Sequence, residues 1–270
     1  MNTSTLVTIG TMILFGAGCV AMAPNTQLIP TQEEKSAEQP VLGEYRKSEP
    51  SSAVEPAAKD EIHGESVVPS YPEGAIGFAI SYPQCRSVFP KTPFDFGIVG
   101  VTGGRSFKSN PCFAEELAWA KKGFYAPSFY INLDYPNARI DPYAYGQDVA
   151  KYAFESVKKE GAGDAMWWLD VQIVSTWSKD TNVNAQVARG AIDFFKKEGL
   201  PVGLSTTPYQ WKIVMGNLET KLPVWVPGRV NKYIAAKYCT DGIGYSGGRV
   251  LQTAYVENNF EVTYACGEKN

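Results

Sequence analysis

Residues Ala165–Val171, with the sequence AMWWLDV, decide the fold because they form a short apolar run between two amphipathic stretches. The stretch before it, Pro142–Glu160, and the stretch after it, Val183–Glu198, have the length and the apolar spacing of helices. A buried strand between two helices is the repeating unit of a parallel sheet. The pattern therefore predicts an α/β fold.

The alternation continues on both sides of this unit. Further strands are predicted at Ala75–Ser81, Phe94–Val101, Pro127–Leu133, Pro201–Thr206, Leu222–Val226 and Arg249–Tyr255, and further helices at Phe113–Lys122 and Tyr209–Met215. Asp141 is the predicted cap of the helix at Pro142, and Gly199 is the predicted end of the helix after Val183. Such regular alternation predicts a sheet that closes into a TIM-type barrel, with helices missing near the C-terminal end.

The N-terminal segment, residues 1–23, has the pattern of an export signal. Leu6–Val20 is apolar but too short and too rich in glycine for a comfortable membrane span. Small residues precede Cys19, as at the processing site of bacterial lipoproteins, where the cysteine becomes lipidated. Cleavage after Ala23 and an uncleaved anchor are the alternatives. We expect an exported protein of the bacterial cell envelope, anchored in the membrane by a lipid at Cys19, or otherwise secreted.

Residues 24–70 are predicted to form a disordered linker, and residues 71–270 the barrel domain. The linker is rich in proline and carries nine acidic and four basic side chains, although the whole chain has a net charge of only -3. This balance gives no indication of a nucleic-acid partner. The single histidine, His63, lies in the linker, which excludes histidine-dependent triads and most zinc hydrolase sites from the barrel. We expect no metal and no cofactor.

Cysteine counting agrees with lipidation. Five cysteines leave four once Cys19 is set aside. Two are early, Cys85 and Cys112, and two are late, Cys239 and Cys266. Three pairings are possible, and the near-neighbour disulfides Cys85–Cys112 and Cys239–Cys266 are the ones that we favour for an exported domain.

Several short motifs resemble glycoside hydrolase family 25-like domains of secreted bacterial proteins, from about Gly74 to Cys266. They are ISYPQC at Ile80–Cys85, FGIVGVTGGR at Phe96–Arg105, WWLDV at Trp167–Val171 and STTPYQW at Ser205–Trp211. The resemblance implies a modified barrel of about five β/α units followed by strands with few helices. It also implies muramidase-like cleavage of peptidoglycan, at the C-terminal ends of the strands.

The catalytic positions depart from the family pattern. The family has a proton-donating Glu two residues after an Asp on strand four, and the corresponding pair here is Asp170 and Gln172. Residues two apart on a strand point to the same side, so Gln172 stands at the position of the acid. An amide cannot protonate a leaving group, which removes about 10²–10⁴-fold of rate from general acid catalysis. Ala79 also replaces the Asp that the family has on strand one.

Other side chains are candidates for the site. Glu261 is a possible substitute for the lost acid, and Asp134 is a second carboxylate near a strand end. Aromatic side chains that could stack on sugar rings, or pack in the core, are Tyr82, Tyr130, Trp168, Tyr209 and Trp225. Asn132 and Gln252 suit hydrogen bonds to sugar hydroxyls.

Three functions are compatible with these observations. The first, which we favour, is a catalytically degenerate barrel that binds peptidoglycan or a related envelope glycan. The second is an active glycan hydrolase that uses Asp170 with Glu261 or Asp134. The third is a structural or interaction lipoprotein.

Overall fold

The structure is a computed structural model, and it describes residues 70–136, 139–241 and 244–267. The predicted export signal, the lipidation site at Cys19 and the predicted linker up to residue 69, with His63, lie outside the described residues. Within those described ranges, no helix combines the length and the apolar character that crossing a membrane requires.

Eight strands follow each other around one closed barrel in chain order. The first seven strands are parallel to one another, and the eighth runs antiparallel to the seventh and the first, between which it lies. The strands are β1 (Ile76–Ile80), β2 (Phe96–Gly100), β3 (Ser128–Asn132), β4 (Trp167–Asp170), β5 (Val202–Ser205), β6 (Val224–Arg229), β7 (Val250–Glu257) and β8 (Phe260–Ala265). The prediction of a modified TIM-type barrel is confirmed.

Helices cover one side of the sheet and follow strands β2 to β6. They are α1 (Phe113–Ala120), α2 (Pro142–Lys159), α3 (Thr181–Lys197), α4 (Pro208–Met215) and α5 (Lys232–Asp241). Asp141 caps α2 as predicted, since its side chain accepts a hydrogen bond of 2.7 Å from the Ala144 N–H. Between β1 and β2 the described chain has only a 3₁₀ turn.

Two C-terminal elements are absent from the sequence prediction, which has little helix after β6 and no strand after β7. Helix α5 lacks the apolar spacing of an amphipathic helix, because the apolar side chains Tyr233 and Ile234 are exposed. Its buried face contains Ala235 and Cys239. Strand β8 follows the turn at Asn258 and Asn259, and the predicted pattern of seven strands does not include this reversed last strand.

The core has two layers, because successive side chains along each strand point alternately to the outside and to the inside of the barrel. Leu169 and Val171 point outward and pack beneath the helices, whereas Trp168 and Tyr130 point into the barrel. Large aromatic rings fit inside because small residues face them: a Cβ on Gly203 would lie 2.6 Å from the Trp168 ring.

Helices α2 and α3 contact each other through two glycines. A Cβ on Gly146 would lie 2.0 Å from the carbonyl oxygen of Val187, and a Cβ on Gly190 would lie 2.0 Å from that of Tyr143. The two helix backbones therefore approach so closely that neither position has room for a methyl group.

Both predicted disulfides are present. Cys85 bonds to Cys112 and Cys239 bonds to Cys266, with 27 residues of sequence separation in each case. The first bond joins the segment after β1 to the start of α1, and the second joins α5 to the end of β8. Two structural disulfides are typical of proteins that are exported to an oxidising compartment.

Candidate functional site

A cleft of about 360 Å³ opens at the barrel end where the parallel strands terminate. Asp170 and Ser205 are the last residues of β4 and β5, and both line it. This end of a barrel is where the chemistry of such folds is usually found. The lining residues are Tyr130, Asp170, Gln172, Ser205, Thr206, Gln210, Trp225, Pro227 and Glu261.

The carboxyl group of Asp170 is held between two amides. Its Oδ2 accepts a hydrogen bond of 2.7 Å from the side chain of Asn132 and another of 2.7 Å from that of Gln172. The Asn132 amide is oriented in turn by Thr102, whose hydroxyl donates to its Oδ1 and accepts from its backbone N–H, both at 3.1 Å. The Asp170 side chain is therefore fixed in position before any ligand arrives.

Burial raises the pKa of Asp170 from 3.8 to about 7, because only 6% of the residue is exposed. The hydrogen bonds from Gln172 and Asn132 favour the charged form and work in the opposite direction. Near neutral pH the carboxyl group is therefore divided between its protonated and its ionised forms.

Gln172 lies two residues beyond Asp170 and shares its side of the barrel, as the period of a strand predicts. Its side-chain amide donates to Asp170, and its backbone carbonyl accepts a hydrogen bond of 2.9 Å from the Trp177 indole. The group at the expected acid position is thus a fixed hydrogen-bond donor, which supplies no proton.

Glu261 brings a second carboxyl group to the cleft from the opposite side. Because β8 is antiparallel, residues near its start lie at the same end of the barrel as the ends of β1 to β7. Strands β4 and β8 are four positions apart in a ring of eight, so Asp170 and Glu261 face each other across the mouth. The preceding Asn258 and Asn259 have φ of 50° and 65°, the left-handed conformation of a tight hairpin turn.

The register of β1 and β8 explains how the barrel accommodates Glu261. Glu261 pairs with Ala79, the position at which the family pattern has an Asp. The small Ala79 side chain leaves room at the mouth, and the carboxyl group is supplied by the neighbouring strand instead. Within the described ranges, no hydrogen bond or ion pair is made by the Glu261 carboxyl group.

The environment of Glu261 opposes its ionisation. Burial raises its pKa from 4.5 to about 8, and the nearby Asp170 charge adds to the increase. Two facing carboxyl groups with raised pKa values can hold one proton between them near neutral pH. Chemically, such a pair can donate a proton and stabilise a positive charge in the same cleft.

Two of the predicted aromatic residues reach the cleft. Tyr130 and Trp225 line it, with their ring centroids 6.3 Å apart. Tyr130 packs over Gly100, where a Cβ would lie 2.6 Å from its ring, so the glycine is needed for this close approach. Burial raises the pKa of the Tyr130 phenol. Trp168 is fully buried beneath Trp225 and does not line the cleft.

The other predicted ligand contacts lie away from the cleft lining. Tyr82 is 40% exposed and Tyr209 is 68% exposed, while Gln252 is buried in the barrel wall. Asp134 is also buried, and it accepts a hydrogen bond of 2.8 Å from the Tyr145 hydroxyl. Because Asp134 does not line the cleft, the structure does not support the alternative pairing of Asp170 with Asp134.

Four lining residues were not predicted as site residues: Ser205, Thr206, Gln210 and Pro227. Ser205 is the last residue of β5 and Thr206 follows it, and Thr207 then caps α4, which has Gln210 in its first turn. Polar residues at the end of a parallel strand are the signal that could have identified them. In the described part of the chain, no group of three or more His, Cys, Asp or Glu side chains is arranged to hold a metal.

Comparison with known proteins agrees with the barrel fold. The family model described as lysozyme-like protein 1 matches residues 106–229. A family 25 glycosyl hydrolase from Bacillus anthracis is 14% identical, with a TM-score of 0.53 over 76% of this chain and 96% of that chain. No curated protein matches the sequence.

Two modular enzymes are also similar in structure. The Cpl-1 endolysin, solved with a peptidoglycan analogue, has a TM-score of 0.50 and 14% identity, covering 74% of this chain and 56% of that chain. The autolysin LytC from Streptococcus pneumoniae has a TM-score of 0.49 and 15% identity, covering 70% and 46%. The chain thus spans about half the length of the first solved structures that it matches.

The fold and the family match together define the class of the domain. It has a barrel fold similar to that of a family 25 glycosyl hydrolase, and residues 106–229 match a lysozyme-like family model, in agreement with the resemblance of the sequence motifs.

Proposed function

We propose that the barrel domain binds peptidoglycan, or a related envelope glycan, in the cleft at its mouth. The observation that carries this proposal is the fixed Asp170 carboxyl group, which two amides orient beside the rings of Tyr130 and Trp225. Sugars require both directed hydrogen bonds and an apolar surface for a ring face, and this cleft offers the two together. The solved complex of the Cpl-1 endolysin with a peptidoglycan analogue supports the same class of ligand.

Loss of the usual catalytic acid favours binding over turnover. Gln172 occupies the expected donor position and is already engaged with Asp170. An amide there keeps the hydrogen-bonding capacity of the site but removes the ionisable proton. A barrel that holds its ligand without cleaving it is the function that we favour.

Retention on insoluble peptidoglycan tests this proposal. The full chain should sediment with purified peptidoglycan, and Asp170→Asn should weaken retention by about tenfold. Asp193→Asn is the matched control, because Asp193 is exposed on α3 and contacts Tyr143 outside the cleft. Absence of retention by the wild-type chain would contradict glycan binding and favour a structural or interaction role.

Hydrolysis by a rearranged carboxyl pair is a second candidate, and the facing pair Asp170 and Glu261 is the observation in its favour. In this scheme Glu261 protonates the leaving oxygen, and ionised Asp170 stabilises the developing positive charge. Dye release from labelled peptidoglycan, above a boiled control, separates the two candidates. Activity that Glu261→Gln abolishes would establish the hydrolase, whereas no release with retained binding would establish the degenerate domain.

We also propose that residues 1–23 direct export, that a lipid on Cys19 anchors the chain, and that residues 24–70 separate the anchor from the barrel at 71–270. The two disulfides support export. Cys19→Ser should move the protein from the membrane fraction to the soluble fraction of the envelope. A wild-type chain that is already soluble would contradict lipid anchoring.

A further inference from the structure

The loop between β2 and α1, residues Gly103–Ser109, is a second built feature at the mouth of the barrel. A β-bridge between Thr102 and Ser109 closes the loop, and the Gly103 N–H donates to the Lys108 carbonyl at 2.7 Å. The Ser109 hydroxyl also bonds to the Tyr152 hydroxyl on α2, at 2.6 Å. The loop is therefore held in one conformation by its own backbone and by its neighbours.

The conformation of this loop includes a strained residue. Phe107 has φ of 57°, which is costly for a bulky side chain. Its ring packs edge-on against Tyr145 and Tyr152, with centroid distances of 5.4 and 5.6 Å, and these contacts hold the residue there. Strain of this kind persists where the surrounding contacts enforce it, and it is concentrated at functional sites. The side chains near Phe107 in the loop are basic.

Two exposed basic side chains, Arg105 and Lys108, project from the loop beside an aromatic ring. The Lys108 ammonium lies 5.7 Å from the Tyr82 ring centroid, and a Cβ on Gly104 would lie 2.9 Å from the same ring. Among the described residues, neither basic group of the loop has an acidic partner within 4.0 Å.

The loop is joined directly to the cleft. Thr102, which orients Asn132 beneath Asp170, immediately precedes Gly103. Within the loop, the Ser106 hydroxyl donates to the backbone carbonyl of Asn132 at 3.5 Å. The loop therefore borders the mouth on the side of Asn132, the residue that holds Asp170.

We propose that the Gly103–Ser109 loop is a subsite for an acidic substituent of the bound glycan. Arg105 and Lys108 bind a carboxylate or phosphate group through charge-assisted hydrogen bonds, and Tyr82 packs against the adjoining apolar part of the ligand. This subsite rests on the proposed glycan-binding function. It adds to that function a preference for glycans that carry a negative charge.

Calorimetric titration of the full chain with four probes tests the subsite. The probes are chitotetraose, which is neutral; a peptidoglycan tetrasaccharide without peptides, which carries lactyl carboxylates; the same tetrasaccharide with its peptides; and a glycerol phosphate polymer. Arg105→Ala combined with Lys108→Ala removes the two charges. Lys121→Ala combined with Lys122→Ala removes two exposed charges at the C-terminal end of α1, away from the mouth.

We expect the Arg105/Lys108 double variant to lose about tenfold or more of affinity for at least one acidic probe. Its affinity for chitotetraose should change less than about twofold, and the Lys121/Lys122 variant should bind every probe like the wild type. The acidic probe that responds identifies whether a lactyl group, a peptide carboxylate or a phosphate occupies the loop.

The outcomes distinguish the two proposals. Equal losses for neutral and acidic probes, or no loss for any, would overturn the subsite while glycan binding stands. Binding of the phosphate polymer alone, lost in the Arg105/Lys108 variant, would support the anion site and overturn glycan binding. No binding of any probe by the wild-type chain would overturn both.

Discussion

Asp170 and Glu261 illustrate how single residues set the chemistry of the mouth. Burial raises the pKa of each carboxyl group, and the charge of Asp170 raises the pKa of Glu261 further. The two groups differ in their hydrogen bonds, because Asp170 accepts from two amides and Glu261 from no described residue. Burial and the Asp170 charge raise the pKa of Glu261 with no described hydrogen bond to oppose them, so Glu261 keeps its proton near neutral pH.

Asp170→Asn should lower the pKa of Glu261 from about 8, because it removes the neighbouring negative charge. The pH titration of the Glu261 carboxyl carbon, followed by NMR on ¹³C-labelled protein, measures this change. Asp193→Asn is the control and should leave the titration where it is. An unchanged Glu261 titration in Asp170→Asn would show that the two groups do not interact.

Gln172→Glu should restore a proton donor at the position where the family has one. The new carboxyl group would replace the amide that bonds to Asp170, and the pair would retain a proton near neutral pH. We expect dye release from labelled peptidoglycan to rise at least about tenfold, within the 10²–10⁴-fold range of general acid catalysis.

Gln210→Glu provides the comparison for that variant. It introduces the same charge in the cleft, but the Gln210 side chain bonds to the backbone of Ile173 rather than to Asp170. Equal release by the two variants, or no release by a Gln172→Glu chain that still binds peptidoglycan, would contradict the assignment of position 172.

At the scale of the element, the contact between α2 and α3 leaves no room for a side chain at either of its two glycines. Gly146→Ala should destabilise the protein although alanine is the better helix former by about 1 kcal/mol. The added methyl group would overlap the Val187 carbonyl, and forcing the helices apart costs about 1–3 kcal/mol or more. Urea unfolding measures the change.

Lys151→Ala on the same helix is the control, because it removes only an exposed pair with Glu155 at 4.0 Å. Its free energy of unfolding should stay within about 0.5 kcal/mol of the wild type. A Gly146→Ala protein as stable as this control would mean that the two helices are not in close contact.

The strands and helices could largely be predicted from the sequence, because their apolar spacing is strong and each long helix has clear end signals. The strand at Trp167–Asp170 and the helices beside it needed only local patterns. Strand β8 was not predicted, since its direction depends on pairing with β1, which lies about 185 residues earlier in the chain. The turn residues Asn258 and Asn259 were the local signal for it.

The site was predictable to the extent that it depends on strand period. Period two placed Gln172 beside Asp170, and the hydrogen bond between them agrees with that placement. By contrast, Trp168 and Gln252 are polar-tipped residues on inward-facing strand positions, and the sequence does not reveal how deep in the barrel each one lies.

At the scale of the whole molecule, three buried or half-buried carboxyl groups should make stability depend on pH. Glu116 is fully buried, accepts one hydrogen bond from Asn110, and has its pKa raised by burial from 4.5 to about 7. Asp170 and Glu261 shift in the same direction. A raised pKa in the folded state contributes stability below the unfolded pKa and loses it as pH rises through the folded pKa.

Thermal unfolding should therefore show a melting temperature that falls as the pH rises from about 4.5 to 8. The raised pKa of Glu116 alone lowers the free energy of unfolding by about 3 kcal/mol as the pH rises through its part of that range. Glu116→Gln should flatten the lower part of the curve, because the isosteric amide keeps an acceptor for Asn110 and does not ionise. A melting temperature that rises steadily toward pH 8 would contradict the burial of these groups.

The most direct test of glycan binding at the mouth is a crystal structure of the chain with a peptidoglycan tetrasaccharide. We expect sugar density in the cleft, with a ring beside Tyr130 or Trp225 and a hydroxyl or acetamido group within hydrogen-bond distance of Asp170. A tetrasaccharide bound elsewhere on the barrel, with the cleft between Asp170 and Glu261 holding only water, would contradict it.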